Sequence, residues 1–171
     1  MRKLEVLPHR VSEVVEFRQT NTRDLFKTKS GGTLAVLFAL PFDLVKNFFD
    51  YDHDELAKIP EDIRGLRSYR VEGLPAGQIG GTEFHRIRQE IVFGLGGRVR
   101  WECRDLFGEI REFILTPENG LYMPPTILHT YHVEEGGSGL GIICNTLFPL
   151  PADEATNDTY SQEKFETLTI R

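Results

Sequence analysis

The sequence predicts an all-β domain, a sandwich or barrel of short strands, on three observations. First, the segments EIVFGLGG, RVRWECRD, EIREFILTP, GLYMPP, HTYHV and GLGIICNTLF follow one another from Glu90, with turn residues between them and no long amphipathic helix. Second, in RVRWECRD the residues Val99, Trp101 and Cys103 alternate with Arg98, Arg100, Glu102 and Arg104. One face is apolar and the other charged, which a parallel sheet buried on both faces would not give. Third, 171 residues with 16 Gly and 9 Pro suffice for one core rich in turns and are too few for two comfortable domains.

The elements follow in chain order. Residues 1–30 are polar and mixed, with LEVLPHRV and VVEFRQ as short strands or an arm. From Gly31 the β-rich run GGTLAVLFAL extends to Pro41, and FDLVKNFFDYD follows; both read as strands. HDELAKIPEDIRG is charged and carries Pro60, as a loop or short helix does, and LRSYRVEGL alternates like a strand. The barrel strands come next, so the barrel is assigned to 31–150. The tail, 151–171, is polar, with Tyr160 and Phe165 as its anchors; it packs over one end of the barrel or frays.

Charge and composition exclude several roles. A net charge of −6 repels nucleic acid and anionic membranes as a whole. No stretch approaches the ~20 apolar residues of a membrane span, and MRKLEVLPHRVSEVVEF interleaves charges with apolar residues as a signal peptide does not. Cys103 and Cys144 form no CxxC pair and read as buried thiols in a reducing compartment, so a cytoplasmic location is expected. His9, His53 and His132 read as surface or structural.

The chemistry concentrates in GQIGGTEFHRIRQEIVFGLGG, residues 77–97. On an extended segment Glu83 and His85 point to the same face, Glu90 can return to them on the neighbouring strand, and Gly77 and Gly97 suit turns of positive φ. The stretch resembles the first cupin motif, Gly, five residues, His-x-His, three or four residues, Glu, six residues, Gly. Gly77, Glu83, His85, Glu90 and Gly97 stand at those spacings, with Glu83 in place of the first histidine. GLYMPPTILHTYHV is similar to the second motif, Pro-x-Gly-x-x-His, through Pro124, Pro125 and His129, with Thr126 in place of glycine. The resemblance implies a cupin fold, a double-stranded β-helix or jelly-roll barrel, with a short N-terminal arm, a C-terminal tail, and the polar cluster at its mouth.

GGTLAVLFALPFDLVKNFF, EFHRIRQEIVFGLGGRVRW, FGEIREFILTPENGLYMPPTILHTY and NDTYSQEKFETL further resemble the WxcM-like family, which includes dTDP-sugar 3,4-ketoisomerases, over roughly residues 31–168. Gly120, Leu121, Met123, Pro124, Pro125 and His129 match its second motif, with Leu128 where that family has Trp. Glu83, Phe84, His85 and Arg86 stand at its His-Ala-His-Lys, and Gly80-Gly81 at the preceding Arg-Gly. A second register also exists: Arg64-Gly65 followed by LRSYR, which would put Arg67 and Tyr69 at the histidine positions.

The resemblance implies an isomerase acting on a nucleotide-linked sugar in carbohydrate or polysaccharide-precursor metabolism, working without metal. Glu83 is then the candidate base and His85 the partner acid, with His129 or Tyr131 orienting the sugar. Arg86, Arg88, Arg98 and Arg100 alternate along two strands and are candidates for the diphosphate; the alternative is a solvated sheet surface paired to Glu102 or Glu112. Two other readings use the same residues. Glu83, His85, Glu90 and His129 suit one divalent transition metal, Fe, Mn, Ni or Zn, in a metal-dependent sugar isomerase, epimerase or dioxygenase. A non-catalytic cupin binding a small ligand is the other. A homodimer paired through GGTLAVLFAL is expected in either case.

Overall fold

The computed structural model describes residues 8–19, 25–36, 38–50, 56–147 and 157–168. Two five-stranded antiparallel sheets face each other. The first, in the order β1-β9-β6-β11-β4, joins β1 (Val15–Arg18), β9 (Asn119–Met123), β6 (Glu90–Gly96), β11 (Ser138–Thr146) and β4 (Arg64–Leu74). The second, in the order β12-β5-β10-β7-β8, joins β12 (Tyr160–Ser161), β5 (Ile79–Phe84), β10 (Leu128–Val133), β7 (Val99–Arg104) and β8 (Ile110–Leu115). A separate hairpin pairs β2 (Leu25–Lys27) with β3 (Thr33–Ala35). The all-β expectation holds, and no described helix is long and apolar enough to cross a membrane.

Period-two alternation decides what faces inward. Val92, Leu121, Leu140 and Ile142 of the first sheet meet Val99, Trp101, Phe113 and Val133 of the second in one buried cluster. The alternate residues Ile91, Phe93 and Ile143 point to the outside of the first sheet, where they need a cover. Helix α1 (Phe42–Phe48) supplies it: Leu44 and Phe48, four apart on one helical face, pack there with Leu40. Phe48 is fully buried, worth about 2–3 kcal/mol.

This corrects the expectation for the described residues 31–36 and 38–50. FDLVKNFF forms a helix, because Pro41 (φ −58°) ends the extended run and preorganises the first turn, where Asp43 complements the dipole. Among the described residues of GGTLAVLFAL only Thr33–Ala35 pairs as strand; Phe38 instead turns onto Phe93, ring centroids 5.1 Å apart. In the segment before it the strand reading of VVEFRQ applies, since β1 is hydrogen-bonded to β9 as the edge of the first sheet. The tail packs on the outer face of the second sheet: Tyr160 and Phe165, the latter on α2 (Gln162–Glu166), are buried against Phe84 and Leu128. His53 lies outside the described residues.

Candidate functional site

Strand register assembles the site. His129 of β10 is paired with Glu83 of β5 and with Cys103 of β7. Across the interior, Glu90 of β6 is paired with Met123 and Cys144. Glu90 therefore reaches the histidines from the facing sheet; it does not come from a strand beside β5, because β6 pairs only with β9 and β11. The cluster is also enclosed instead of lining a mouth: His85, Glu90 and His129 are buried, and Glu83 alone of the four is partly open, with its side chain 34% exposed. Gly77 (φ +79°) and Gly97 (φ +65°) hold the positive φ expected of them.

β5 stops at Phe84, and His85 begins an irregular turn running to Gln89. Buried Asp158 of the tail holds this turn, its carboxylate accepting the backbone N–H groups of Arg86, Ile87 and Arg88 at 3.0, 2.9 and 2.7 Å. The Asp158 carbonyl oxygen lies 2.7 Å from His85 Nδ1. A carbonyl can only accept, so Nδ1 carries the proton and leaves Nε2, 3.3 Å from Glu90 Oε2, to present a lone pair. That lone pair receives Arg88 Nη2–H at 2.8 Å.

Arg88 thus departs from its expected place on a strand surface. It is 1% exposed, its Nη2 also pairs with Glu90 Oε1 at 2.9 Å, and its Nη1 donates to the Asn157 carbonyl at 3.1 Å. Tyr69 donates to the same Glu90 oxygen at 3.2 Å. Burial opposes the Glu90 charge, yet the Arg88 guanidinium beside it holds the carboxyl well below its ordinary value. Glu90 is a fixed anion, and burial with Glu90 alongside pushes the Tyr69 phenol up, so it stays protonated.

His129 differs from His85. Its Nδ1–H donates to the Ile127 carbonyl at 3.2 Å, and its ring stacks on Trp101 at 5.3 Å and 14°. Its Nε2 sits 4.0 Å from Glu83 Oε1 and 3.9 Å from Glu90 Oε2. Burial lowers its pKa below the ordinary 6.5 despite the pull of Glu90, so the ring is neutral at neutral pH. Tyr131 stacks beyond it on Trp101 and occupies the space where side chains at Gly80 and Gly81 would stand.

The remaining predicted residues lie elsewhere. Arg98 pairs with Glu134 at 2.6 Å, and Arg100 with Glu112 on the outer face, opposite in parity to Trp101; neither faces the cluster. Arg86 lies in the turn over the Tyr160 ring, 4.8 Å from its centroid. Arg67 and Tyr69, the alternative motif register, also face inward, Arg67 donating to Cys144 Sγ at 3.0 Å. Both thiols are buried and pushed up, Cys103 to about 12 and Cys144 to about 11, so neither is a nucleophile at neutral pH. A groove of about 420 Å³ runs along β4 past Phe38, Arg70 and Phe93, with none of the four cluster residues in its lining.

Glu83, His85 and His129 each offer one donor atom within 4.8 Å of the others. Donors bound to one metal at ~2.1 Å can be at most ~4.2 Å apart, so the set suits a metal in kind but would have to draw together. His85 would also have to release Arg88, whose guanidinium already supplies a cation to His85 and Glu90. Asp158, Arg88 as an interior residue, and Tyr69 as a partner of Glu90 were missed from sequence.

No protein-family profile and no curated protein sequence matches the chain. Solved structures do. The sugar 3,4-ketoisomerase QdtA from Thermoanaerobacterium thermosaccharolyticum, in complex with TDP, superposes with a TM-score of 0.57 at 17% identity, over 91% of this chain and 93% of that one. A 3,4-ketoisomerase from Helicobacter canadensis gives 0.56 at 15% identity over 90% and 94%. WlaRA, a TDP-fucose-3,4-ketoisomerase from Campylobacter jejuni, gives 0.54 at 16% identity over 90% and 92%. The likeness is one of fold, and it is the cupin barrel that the sequence predicts.

Proposed function

We propose that the chain is a nucleotide-sugar isomerase of the 3,4-ketoisomerase type. The observation that carries this reading is the interior set Glu83, His85 and His129, at the motif positions of a fold shared with ketoisomerases. Ketoisomerisation needs a base beside one sugar face and a relay between two oxygens. His129 is the base: its ring is neutral, oriented through Nδ1–H, and its Nε2 is on the side of Glu83. It removes the proton from the hydroxyl-bearing carbon beside the carbonyl, and the C–H electron pair becomes the C=C bond of an enediol. Glu83 carries the hydroxyl proton to the former carbonyl oxygen. The imidazolium then returns its proton to the former carbonyl carbon, and the carbonyl is left one position along. His85 serves as a fixed neighbour instead of the acid, because both its ring nitrogens are engaged.

TDP-4-keto-6-deoxyglucose, the ligand of another QdtA structure, is the first compound to try. In D₂O the enzyme should place solvent deuterium on the sugar ring, read by NMR. His129→Asn should slow exchange by about 10²–10⁴-fold, and Glu83→Gln should depress isomerisation more than exchange. No exchange with a panel of nucleotide sugars would overturn the reading, and a wild-type rate in His129→Asn would return the base to Glu83. A cytoplasmic homodimer belongs to the same proposal, supported by the half-exposed Phe26 and Leu34 on the β2–β3 hairpin; light scattering near 19.6 kDa would remove the dimer.

A metal-dependent reaction is the second reading, favoured by the kind of donors, two imidazoles and a carboxylate on one site. A bound divalent metal would polarise the carbonyl, with Glu83, His85 and His129 holding it. Elemental analysis separates the two readings: one equivalent of Fe, Mn, Ni or Zn per chain supports the metal, and none supports the proton relay.

A further inference from the structure

The geometry points to Asp158 as a positioning residue that sets the tautomer of His85. Two non-glycine residues among those described have positive φ, Thr126 at +64° and Asp158 at +53°. Such backbone strain persists only where the surroundings impose it, and it concentrates at functional sites. Both strained residues close on the same histidine. The Thr126 N–H donates to the His85 carbonyl at 2.6 Å, and the Asp158 carbonyl takes the proton of His85 Nδ1 at 2.7 Å. The positive φ of Asp158 allows its carbonyl to meet the ring while its carboxylate gathers three consecutive N–H groups of the turn that carries His85.

The chemical result concerns Nε2. With the ring proton on Nδ1 against a carbonyl, Nε2 is left to accept, so Arg88 can donate there and reach Glu90 with the same nitrogen. With the proton on Nε2, the ring would turn a donor toward Glu90 Oε2 at 3.3 Å but would meet the guanidinium donor to donor at 2.8 Å, and Arg88 would have to shift. Asp158 thereby fixes where the interior cation sits and which group beside Glu83 and His129 is a donor. Its kinetic consequence rests on the isomerase reading; the tautomer does not.

The ring nitrogens of His85, assigned with His85→Gln, are read in a long-range ¹H–¹⁵N spectrum of the intact protein. The wild type should show a single Nδ1–H tautomer, and an Nε2–H tautomer there would overturn the assignment outright. Asp158→Gly keeps the positive φ and loses the carboxylate that accepts the three N–H bonds; it should show a substantial Nε2–H population, with kcat down by about tenfold and KM within about twofold. A folded Asp158→Gly with the wild-type spectrum would overturn the proposal. If that variant does not fold, Asp158→Asn, which keeps one acceptor oxygen, is read instead: a detectable Nε2–H fraction supports the assignment and its absence overturns it. A tautomer shift in a protein that turns over no sugar would leave the positioning role standing and remove the isomerase.

Discussion

At one end of the barrel interior Val99, Val133 and Leu140 belong to one apolar cluster, and at the other Glu83, Glu90 and His129 meet, with β10 carrying both Val133 and His129. Four positions along β10 separate an apolar plug from a network of charge. At the apolar end each side chain contributes by leaving water, whatever its neighbour's protonation state. At the polar end Arg88 and Glu90 are each costly to bury and tolerable only together. The shared backbone shows that the site rests on a core that does not depend on it.

Breaking one charge should have the largest effect. Arg88→Met takes the guanidinium away from the buried Glu90 charge, and should cost about 3–5 kcal/mol in urea unfolding. Arg88→Met with Glu90→Met should recover most of that loss, whereas Leu140→Ala at the apolar end should cost about 2–5 kcal/mol with no single partner change to restore it. A double variant as unstable as the single would show that the two ends obey the same rule.

Acid should sharpen the contrast by a smaller amount. The folded pKa of His129 lies below 6.5, so below that pH the unfolded chain binds more protons and stability falls as pH drops. Glu90 lies well below its ordinary 4.5, so its contribution is present above 4.5 and is lost as pH falls further, through its folded value. Thermal midpoints should decline in two stages. His129→Gln should flatten the upper one, while Leu140→Ala should run parallel to wild type.

The smallest effect belongs to the frame. Gly77→Ala meets no neighbouring atom but sits at φ +79°, and should cost about 1–2 kcal/mol at every pH. A pH-dependent loss would mean that the turn communicates with the cluster.

Alternation made β7 legible, and motif spacing brought Glu83, His85, Glu90 and His129 to one interior. Both are local patterns. Where the backbone leaves regular extension, period two fails: Arg88 was read as the strand neighbour of Arg86, but the turn after Phe84 rotates it inward. Glu90 was placed in the right cluster by the wrong route, because sheet closure depends on pairing of β6 with β9 and β11, not on the residues between. Asp158 had no local signal, since its partners stand 70–73 positions earlier. α1 was misread because its apolar residues cover a sheet face that exists only once β6 and β11 have paired.

The order in which a ribosome delivers these parts has a consequence of its own. Every strand that carries Glu83, Glu90 or His129 has emerged before residue 147, and the residues that anchor His85 and Arg88 from the tail, 157 and 158, follow. Its two principal sheets, apart from β12, are complete in the sequence before the tail that supplies those partners. The walls of the barrel precede, along the chain, the residues that order the site within it.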